Sequence, residues 1–289
     1  METVMQTTES SVPVTLTIEG TRAEGGEGDA VVGIADVLEQ TQLHDTVLTG
    51  LVDSPAAIVS LVDSLSNLPN HPPSIYVDIE GVNLSRHGSI SILQLHILPT
   101  DETRLVDVHT LGEEAFSTVA TNGDTLRGIL ESESIIKAFF DIRNDSDALY
   151  SLFGVRVAGI CDIQLMELAT RSFPRRCING LAKCIDRDLP MTLKERSDWK
   201  MSKEKGVRLF APERGGSYDV FNARPLADDI KEYCLEDVRL LPRLWLHYSS
   251  KLTPRWKRKV EEATNDRIKL SQSANFNGKG QHMALGPWS

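Results

Sequence analysis

Apolar and polar residues alternate along most of the chain in two patterns, one typical of β-strands and the other of helices. Alternating or continuous apolar runs predict strands over residues 46–52, 74–81, 88–98, 104–108, 135–140 and 155–160. Apolar residues spaced three or four apart predict helices over residues 54–68, 145–153, 162–171, 178–185 and 226–248. Ser54 as N-cap and Pro55 at the first position mark the start of the first helix.

The order of these elements predicts an α/β fold. Three strands in hairpin order, followed by strand, helix, strand and helix, imply a mixed sheet of five or six strands flanked by helices. Residues 1–42 are rich in Thr, Glu, Gly and Ser and predict a disordered acidic arm. We expect residues 43–262 to form the folded domain and residues 263–289 to form a polar, flexible tail.

Charge is distributed unevenly along the 289 residues, whose formal net charge is −10. Residues 1–70 contain 11 acidic side chains and a single basic one, Arg22. Acidic and basic side chains balance over the rest of the chain. The acidic total therefore does not exclude a nucleic-acid partner, although phosphate binding normally depends on Lys and Arg.

Neither a membrane span nor a secretion signal is predicted. No run of about 18 apolar residues occurs, and the polar start of the chain lacks an apolar signal core. The four cysteines form no C-x-x-C pair and no cluster with zinc spacing. We therefore expect an intracellular protein, cytoplasmic or nuclear, without a membrane partner.

Two carboxylates share one face of the predicted strand 74–81. Asp78 and Glu80 lie two positions apart, so both side chains leave the same face while Val77 and Ile79 point to the other. Such carboxylates are costly to bury unless they are paired or hold a cation. By itself, however, the pair is more typical of a polar strand end than of a metal site.

Three more residues could join this pair. Asp145 begins a helix directly after a predicted strand, and ligand sites in α/β sheets gather at the carboxyl ends of strands. Tyr233 and Asp237 lie four apart and share one face of a helix. Each feature has an ordinary alternative, because Asp145 alone could cap its helix and the other two could form a surface pair.

Taken together and in order, these motifs resemble a known family. Residues 74–94, 137–154, 162–165 (DIQL), 224–226 (RPL) and 233–238 (YCLEDV) are similar to the ribonuclease D-like 3′-5′ exonucleases of the DEDD superfamily. The resemblance spans about residues 46–250 and implies a ribonuclease H-like fold. It also identifies the five residues as the catalytic set of the tyrosine subclass.

The resemblance decides between neighbouring acids. The family pattern places Leu four and Phe eight residues after the second aspartate, which Leu149 and Phe153 satisfy for Asp145 but not for Asp141 or Asp147. In the third motif, Asp237 is preferred over Glu236 because Asp237 shares the helical face of Tyr233.

The activity implied is metal-dependent 3′-5′ exonuclease cleavage of RNA or single-stranded DNA, which releases nucleoside 5′-monophosphates. Two divalent cations, Mg²⁺ or Mn²⁺, suit carboxylate ligands. The expected ligands are Asp78 bridging both ions, Glu80 and Asp237 completing one, and Asp145 serving the other. Tyr233 is expected to orient the attacking water without removing its proton.

The sequence departs from the family pattern at two places. Members often carry His before the second motif, where this chain has Phe140 and Asp141, and we expect a structural hydrogen bond from Asp141. The chain also inserts residues 200–223 between Trp199 and Arg224. This insertion is either a substrate-gripping loop or a tolerated surface insertion.

Basic side chains concentrate before and within this insertion, with a net charge of +6 over residues 171–208. They predict a phosphate track, against the alternative of an ordinary solvated face. The expected nucleic-acid contacts are Arg143, Arg175, Arg176, Lys200, Lys203, Lys205 and Arg208.

Two other functions share the same motifs. One is a non-catalytic RNA-binding adaptor with an exonuclease-like domain, which the presence of all five catalytic residues disfavours. The other is a metal-dependent endonuclease or DNA-repair exonuclease. The expected partner is a single-stranded 3′ end, with RNA slightly favoured over DNA.

Overall fold

Residues 50–288, which the computed structural model describes, contain one mixed sheet of six strands. The strands are β1 (Gly50–Val52), β2 (Ile75–Glu80), β3 (Ile92–Ile97), β4 (Glu102–Asp107), β5 (Lys137–Phe139) and β6 (Ile160–Asp162). Their order is β1-β4-β3-β2-β5-β6, with β3 antiparallel to both of its neighbours and the other pairs parallel. The predicted fold class is confirmed, while the arm predicted over residues 1–42 lies outside the described residues.

Helices cover both faces of the sheet. In chain order they are α1 (Pro55–Ser64), α2 (Val108–Leu111), α3 (Glu114–Ser117), α4 (Leu126–Glu131), α5 (Arg143–Phe153), α6 (Ile163–Thr170), α7 (Leu181–Asp188), α8 (Leu193–Phe210), α9 (Asp228–Arg239), α10 (Leu241–Ser249) and α11 (Pro254–Ser271). Val77 and Ile79 face a core built with α1 and α5, whereas Tyr76 faces a second core with α6 and α10. None of the helices within residues 50–288 is long and apolar enough to cross a membrane.

Helix α1 and strand β6 are both shorter in the structure than the predicted elements. Helix α1 starts at the predicted cap, where the Ser54 hydroxyl accepts from the backbone N–H of Ala57, but it ends at Ser64 instead of residue 68. The left-handed backbone of Asn67 cannot continue a helix. The strand predicted over residues 155–160 is wrong for its first five residues, because β6 begins at Ile160, after the left-handed Gly159.

The single helix predicted over residues 226–248 is also wrong, because α9 and α10 are separate helices that meet at Leu240. Pro242 lies in the first turn of α10. A proline has no N–H to donate to the preceding turn, so it is tolerated at a helix start but not in a helix interior. This proline therefore separates the helix that carries the third motif from α10.

The first half of the insertion, residues 200–223, is helical, and the choice between a substrate-gripping segment and a tolerated surface insertion stays open. Helix α8 starts before the insertion with a reciprocal cap between Thr192 and Glu195, and it continues to Phe210. Two short 3₁₀ turns, Pro212–Arg214 and Tyr218–Phe221, then lead to α9. Helix α8 packs directly against α9.

The C-terminal region begins inside a helix, because α11 runs through the predicted domain boundary at residue 262. Beyond α11, the Arg86 guanidinium donates to the backbone carbonyls of Ser273 and Ala274. The rings of Trp256 and Trp288 pack edge to face, 5.1 Å apart. These contacts attach parts of the tail to the domain, and its flexibility stays a prediction.

Candidate active site

Three carboxylates converge at one end of the central strand. Asp78 and Glu80 leave the same face of β2, and one oxygen from each lies within 4.8 Å of the other and of an oxygen of Asp237. The strand alternation required for this was predicted from the sequence. The approach of Asp237, which lies more than 150 residues later, is a result of the tertiary fold.

Helix α9 carries the third motif to β2. Its apolar face, with Ile230 and Cys234, packs on Ile92 of β3 and Leu105 of β4. Just before the helix, Arg224 of the RPL segment forms a two-pronged ion pair with Asp107 at the end of β4. These contacts fix where α9 lies relative to the sheet.

Tyr233 and Asp237 are both buried on the side of α9 that faces β2, with 8% and 3% of their surface exposed. The Tyr233 phenol lies close to the carboxylate of Glu80, and each of the two groups influences the pKa of the other. Glu236 instead pairs with Arg239, 3.3 Å away. Of the two neighbouring acids, the structure thus brings Asp237 to the other carboxylates.

Asp145 lies in the first turn of α5 and is 5% exposed. Among the described residues, it does not join the three-carboxylate cluster at the same 4.8 Å spacing. It is nevertheless close enough that the charges of Asp78 and Glu80 help to raise its pKa, after burial. The fourth predicted ligand is therefore beside the cluster rather than within it.

The other two aspartates near Asp145 have partners of their own. Asp141, whose backbone is left-handed, forms a two-pronged ion pair with Arg143 at 2.6 Å. Asp147 accepts from the Arg86 guanidinium at 2.7 Å. Both serve structural ion pairs, as expected for Asp141, and this leaves Asp145 as the unpaired acid of the three.

Negative charge is concentrated in the cluster. Burial, and then repulsion by Asp237, raise the pKa of Asp78 to about 8. Burial and the charges of Asp78 and Asp237 also raise the pKa of Glu80. Carboxylates crowded in this way are stabilised in their charged form by a cation. Their oxygen donors are those that Mg²⁺ and Mn²⁺ prefer, so the side chains present fit divalent ions.

Tyr233 is held as a hydrogen-bond donor. Burial, followed by the negative charges of Asp237 and Glu80, raises the pKa of its phenol well above 10. The phenol therefore stays protonated near neutral pH. This state suits the predicted role of orienting a water without accepting its proton.

One of the predicted nucleic-acid contacts lies in this cluster. The Lys203 ammonium, on α8, forms an ion pair with the Asp237 carboxylate. It also lies 3.7 Å from the centre of the Tyr233 ring. Sequence reasoning identified Lys203 only as one charge in a basic segment, because nothing local to residue 203 indicates a partner on α9.

The other predicted contacts are dispersed. Arg143 is 6% exposed and is held by Asp141, and its contact with a nucleic acid stays a prediction. Arg175 donates to three backbone carbonyls, at Leu168, Ala169 and Arg171. The remaining four are exposed: Arg176, Lys200, Lys205 and Arg208. Lys200 pairs with Asp186, and Arg208 pairs with Glu204. The role of these four side chains in nucleic-acid binding stays a prediction.

Gln94 is a site residue that sequence reasoning missed. It pairs with Asp78 across the β2–β3 register. With its amide nitrogen facing Asp78, it donates to Oδ2 at 3.3 Å and to the backbone carbonyl of Cys234 at 3.0 Å. Gln94 thereby joins the first motif to α9. The alternation of residues 88–98 was a signal that could have placed it opposite Asp78.

Comparison with known proteins shows the family and the fold of the chain. The 3′-5′ exonuclease family matches residues 51–253. Over 118 residues the chain is 32% identical to the piRNA biogenesis protein EXD1 of Mus musculus, a match that covers 39% of this chain and 19% of that protein. The chain thus spans about a fifth of the length of this curated relative.

Two solved structures of Trypanosoma brucei RNase D share the fold. The complex with GMP has a TM-score of 0.65 and 22% identity, and covers 82% of this chain and 69% of that one. The complex with RNA U12 has a TM-score of 0.61 and 22% identity, and covers 81% and 74%. At this level of identity, the likeness establishes the fold alone.

Proposed function

Because this chain belongs to the 3′-5′ exonuclease family, we propose that it is an active, metal-dependent exonuclease that removes nucleoside 5′-monophosphates from the 3′ end of RNA or single-stranded DNA. The family predicted from the motifs is confirmed by the match over residues 51–253. The observation that carries the proposal is the convergence of Asp78, Glu80 and Asp237, with Tyr233 buried beside Glu80.

Each side chain has a role in this proposal. Asp78, Glu80 and Asp237 would hold divalent ions, with Asp145 contributing from beside the cluster. When bound, two such ions activate the attacking water and stabilise the leaving 3′ oxygen. Tyr233 orients the water by hydrogen bonding, and Gln94 holds Asp78 in place. The solved relative bound to RNA U12 supports RNA as the first substrate to test.

The direct test uses 5′-labelled single-stranded RNA and matched DNA, incubated with Mn²⁺, Mg²⁺ or EDTA. We expect a ladder that shortens from the 3′ end, requires metal and disappears in Asp237→Asn. Asp228→Asn is the matched control, because Asp228 lies on the same helix with its side chain 97% exposed. It should cleave like the wild type.

The result also separates the competing functions. RNA binding without cleavage under every metal condition would replace the proposal with a non-catalytic adaptor. Internal fragments produced before any shortening from the end would indicate an endonuclease. Unchanged cleavage by Asp237→Asn would remove the cluster from the mechanism.

A further inference from the structure

We propose that Lys203 is a tethered cation that competes with the divalent ion for the Asp237 carboxylate, so that the chain itself sets how readily its site loads metal. The inference rests on the proposed function, since it assumes that the cluster binds a divalent ion. It concerns a residue of the insertion, outside the three motifs that identify the family.

The Lys203–Asp237 pair is shielded from water. The side chains are 17% and 5% exposed, and the ammonium lies over the face of the Tyr233 ring. Its charge also acts on the other two carboxylates, since it lowers the pKa of Asp78 and of Glu80 against the larger effect of burial. Lys203 therefore partly neutralises all three carboxylates of the cluster.

Helix α8 presents this ammonium in a defined position. Gly206 and Phe210 lie three and seven positions after Lys203, so all three share one face of the helix. Gly206 lies against the Tyr233 ring, and the Phe210 ring packs on its edge at 4.9 Å. The capped start of α8 and these two contacts fix the helix on α9, so Lys203 reaches Asp237 from a rigid support.

A divalent ion bound by the cluster would share the Asp237 carboxylate with Lys203, whose ammonium holds Oδ1. The ammonium repels a divalent ion that approaches the same carboxylate, and an ion that draws Asp237 away from Lys203 must also offset the loss of the ion pair. Lysine can leave without moving its helix, because its four-carbon chain has several rotatable bonds. When a divalent ion displaces the ammonium, a doubly charged cation takes the place of a singly charged one at the cluster.

The test is a direct Mn²⁺ titration by calorimetry, which does not depend on catalysis. Removing the ammonium in Lys203→Met should tighten Mn²⁺ binding about tenfold, the effect of one charge-assisted hydrogen bond. Lys203→Arg keeps the charge and should not bind more tightly than the wild type. Lys194→Met is the matched control, because it removes an ion-paired lysine (Lys194–Asp198) from the same helix at a site 88% exposed.

Each outcome has one meaning. Tighter binding in Lys203→Met, including binding where the wild type shows none, supports competition. Equal or weaker binding in Lys203→Met, with the wild type binding, overturns this inference and leaves the proposed function standing. No binding by any of the proteins overturns both.

Thermal melting provides a second, independent measurement. In EDTA, Lys203→Met should melt below the wild type, because the cluster loses its internal cation. Saturating Mn²⁺ should then raise the melting temperature of Lys203→Met by more than that of the wild type, since stabilisation grows as Kd falls. Equal increases in the two proteins would contradict the competition.

Discussion

Gly206 of α8 approaches Tyr233 of α9 so closely that a side chain has no room between them. A Cβ at position 206 would lie 2.5 Å from Cδ2 and 2.6 Å from Cβ of Tyr233. The ring cannot withdraw freely, because Phe210 packs against it. The glycine thus lets the helix of the insertion cover the predicted catalytic tyrosine.

This contact predicts an unusual effect of Gly206→Ala. In an exposed helix the substitution is stabilising by about 1 kcal/mol, because alanine is the better helix former. Here we expect the melting temperature to fall and the exonuclease rate to drop about tenfold or more, since Tyr233 must shift. Ser197→Ala, at an exposed position of α8, is the control for helix propensity. A more stable Gly206→Ala protein with full activity would contradict the contact.

Tyr233→Phe should lower the rate of catalysis without changing metal binding. The variant removes the hydroxyl beside Glu80 but retains the ring packed on Phe210. We expect kcat to fall about 100-fold, the usual cost of one well-placed hydrogen bond in a transition state. Calorimetric Mn²⁺ affinity should remain at the wild-type value. A parallel loss of metal affinity would make Tyr233 part of the ligand shell instead.

Asp78→Asn should stabilise the metal-free protein near neutral pH. The pKa of Asp78 is raised to about 8 in the fold, so the folded state binds more protons than the unfolded state between pH 4 and 8. Stability is therefore lost as pH rises through this window, and a neutral Asn avoids the loss. In EDTA we expect a gain of about 1 to 3 kcal/mol at pH 8 that disappears near pH 4. Urea melts at both pH values measure it.

The same variant should lose the stabilisation that Mn²⁺ gives the wild type, because Asp78 is an expected ligand of the ion. An Asp78→Asn protein that is less stable than the wild type at pH 8 in EDTA would show that repulsion in the cluster is already neutralised. Asp228→Asn, whose side chain is exposed, provides the baseline for losing one charge.

Buried His96 gives folding stability a second pH dependence, opposite in sign to that of Asp78. Burial, helped by the charge of Arg239, lowers its pKa to about 4, and its Nδ1 hydrogen-bonds the Thr103 hydroxyl at 3.0 Å. Between pH 6.5 and 4 the unfolded state binds the extra proton, so this group removes stability as pH falls. The wild type should lose up to about 3 kcal/mol more than His96→Gln over that interval. Parallel stability curves for the two proteins would contradict the burial effect.

Much of the fold could be predicted because it depends on neighbours in the chain. Alternation alone placed Asp78 and Glu80 on one face of a strand, and the cap at Ser54 placed the start of α1. The spacing of Tyr233 and Asp237 placed both on one helical face. These features are set by residues two to four positions apart, where backbone geometry leaves few alternatives.

The errors arose where local signals compete with packing. Val155 and Val157 are buried like strand residues, yet they precede the turn at Gly159 and only residues 160–162 pair with β5. The break at Leu240 did have a local signal in Pro242, which the apolar periodicity of residues 226–248 concealed. Apolar periodicity reports burial but does not identify the element that is buried.

The candidates for the catalytic set, and the faces they occupy, followed from the amino-acid sequence. The contact of α8 with α9, the close approach at Gly206 and the reach of Lys203 to Asp237, 34 positions away, became visible in the fold. Such contacts depend on how two helices pack. Packing is fixed by the shapes of many side chains at once, and no pattern within either helix contains that information.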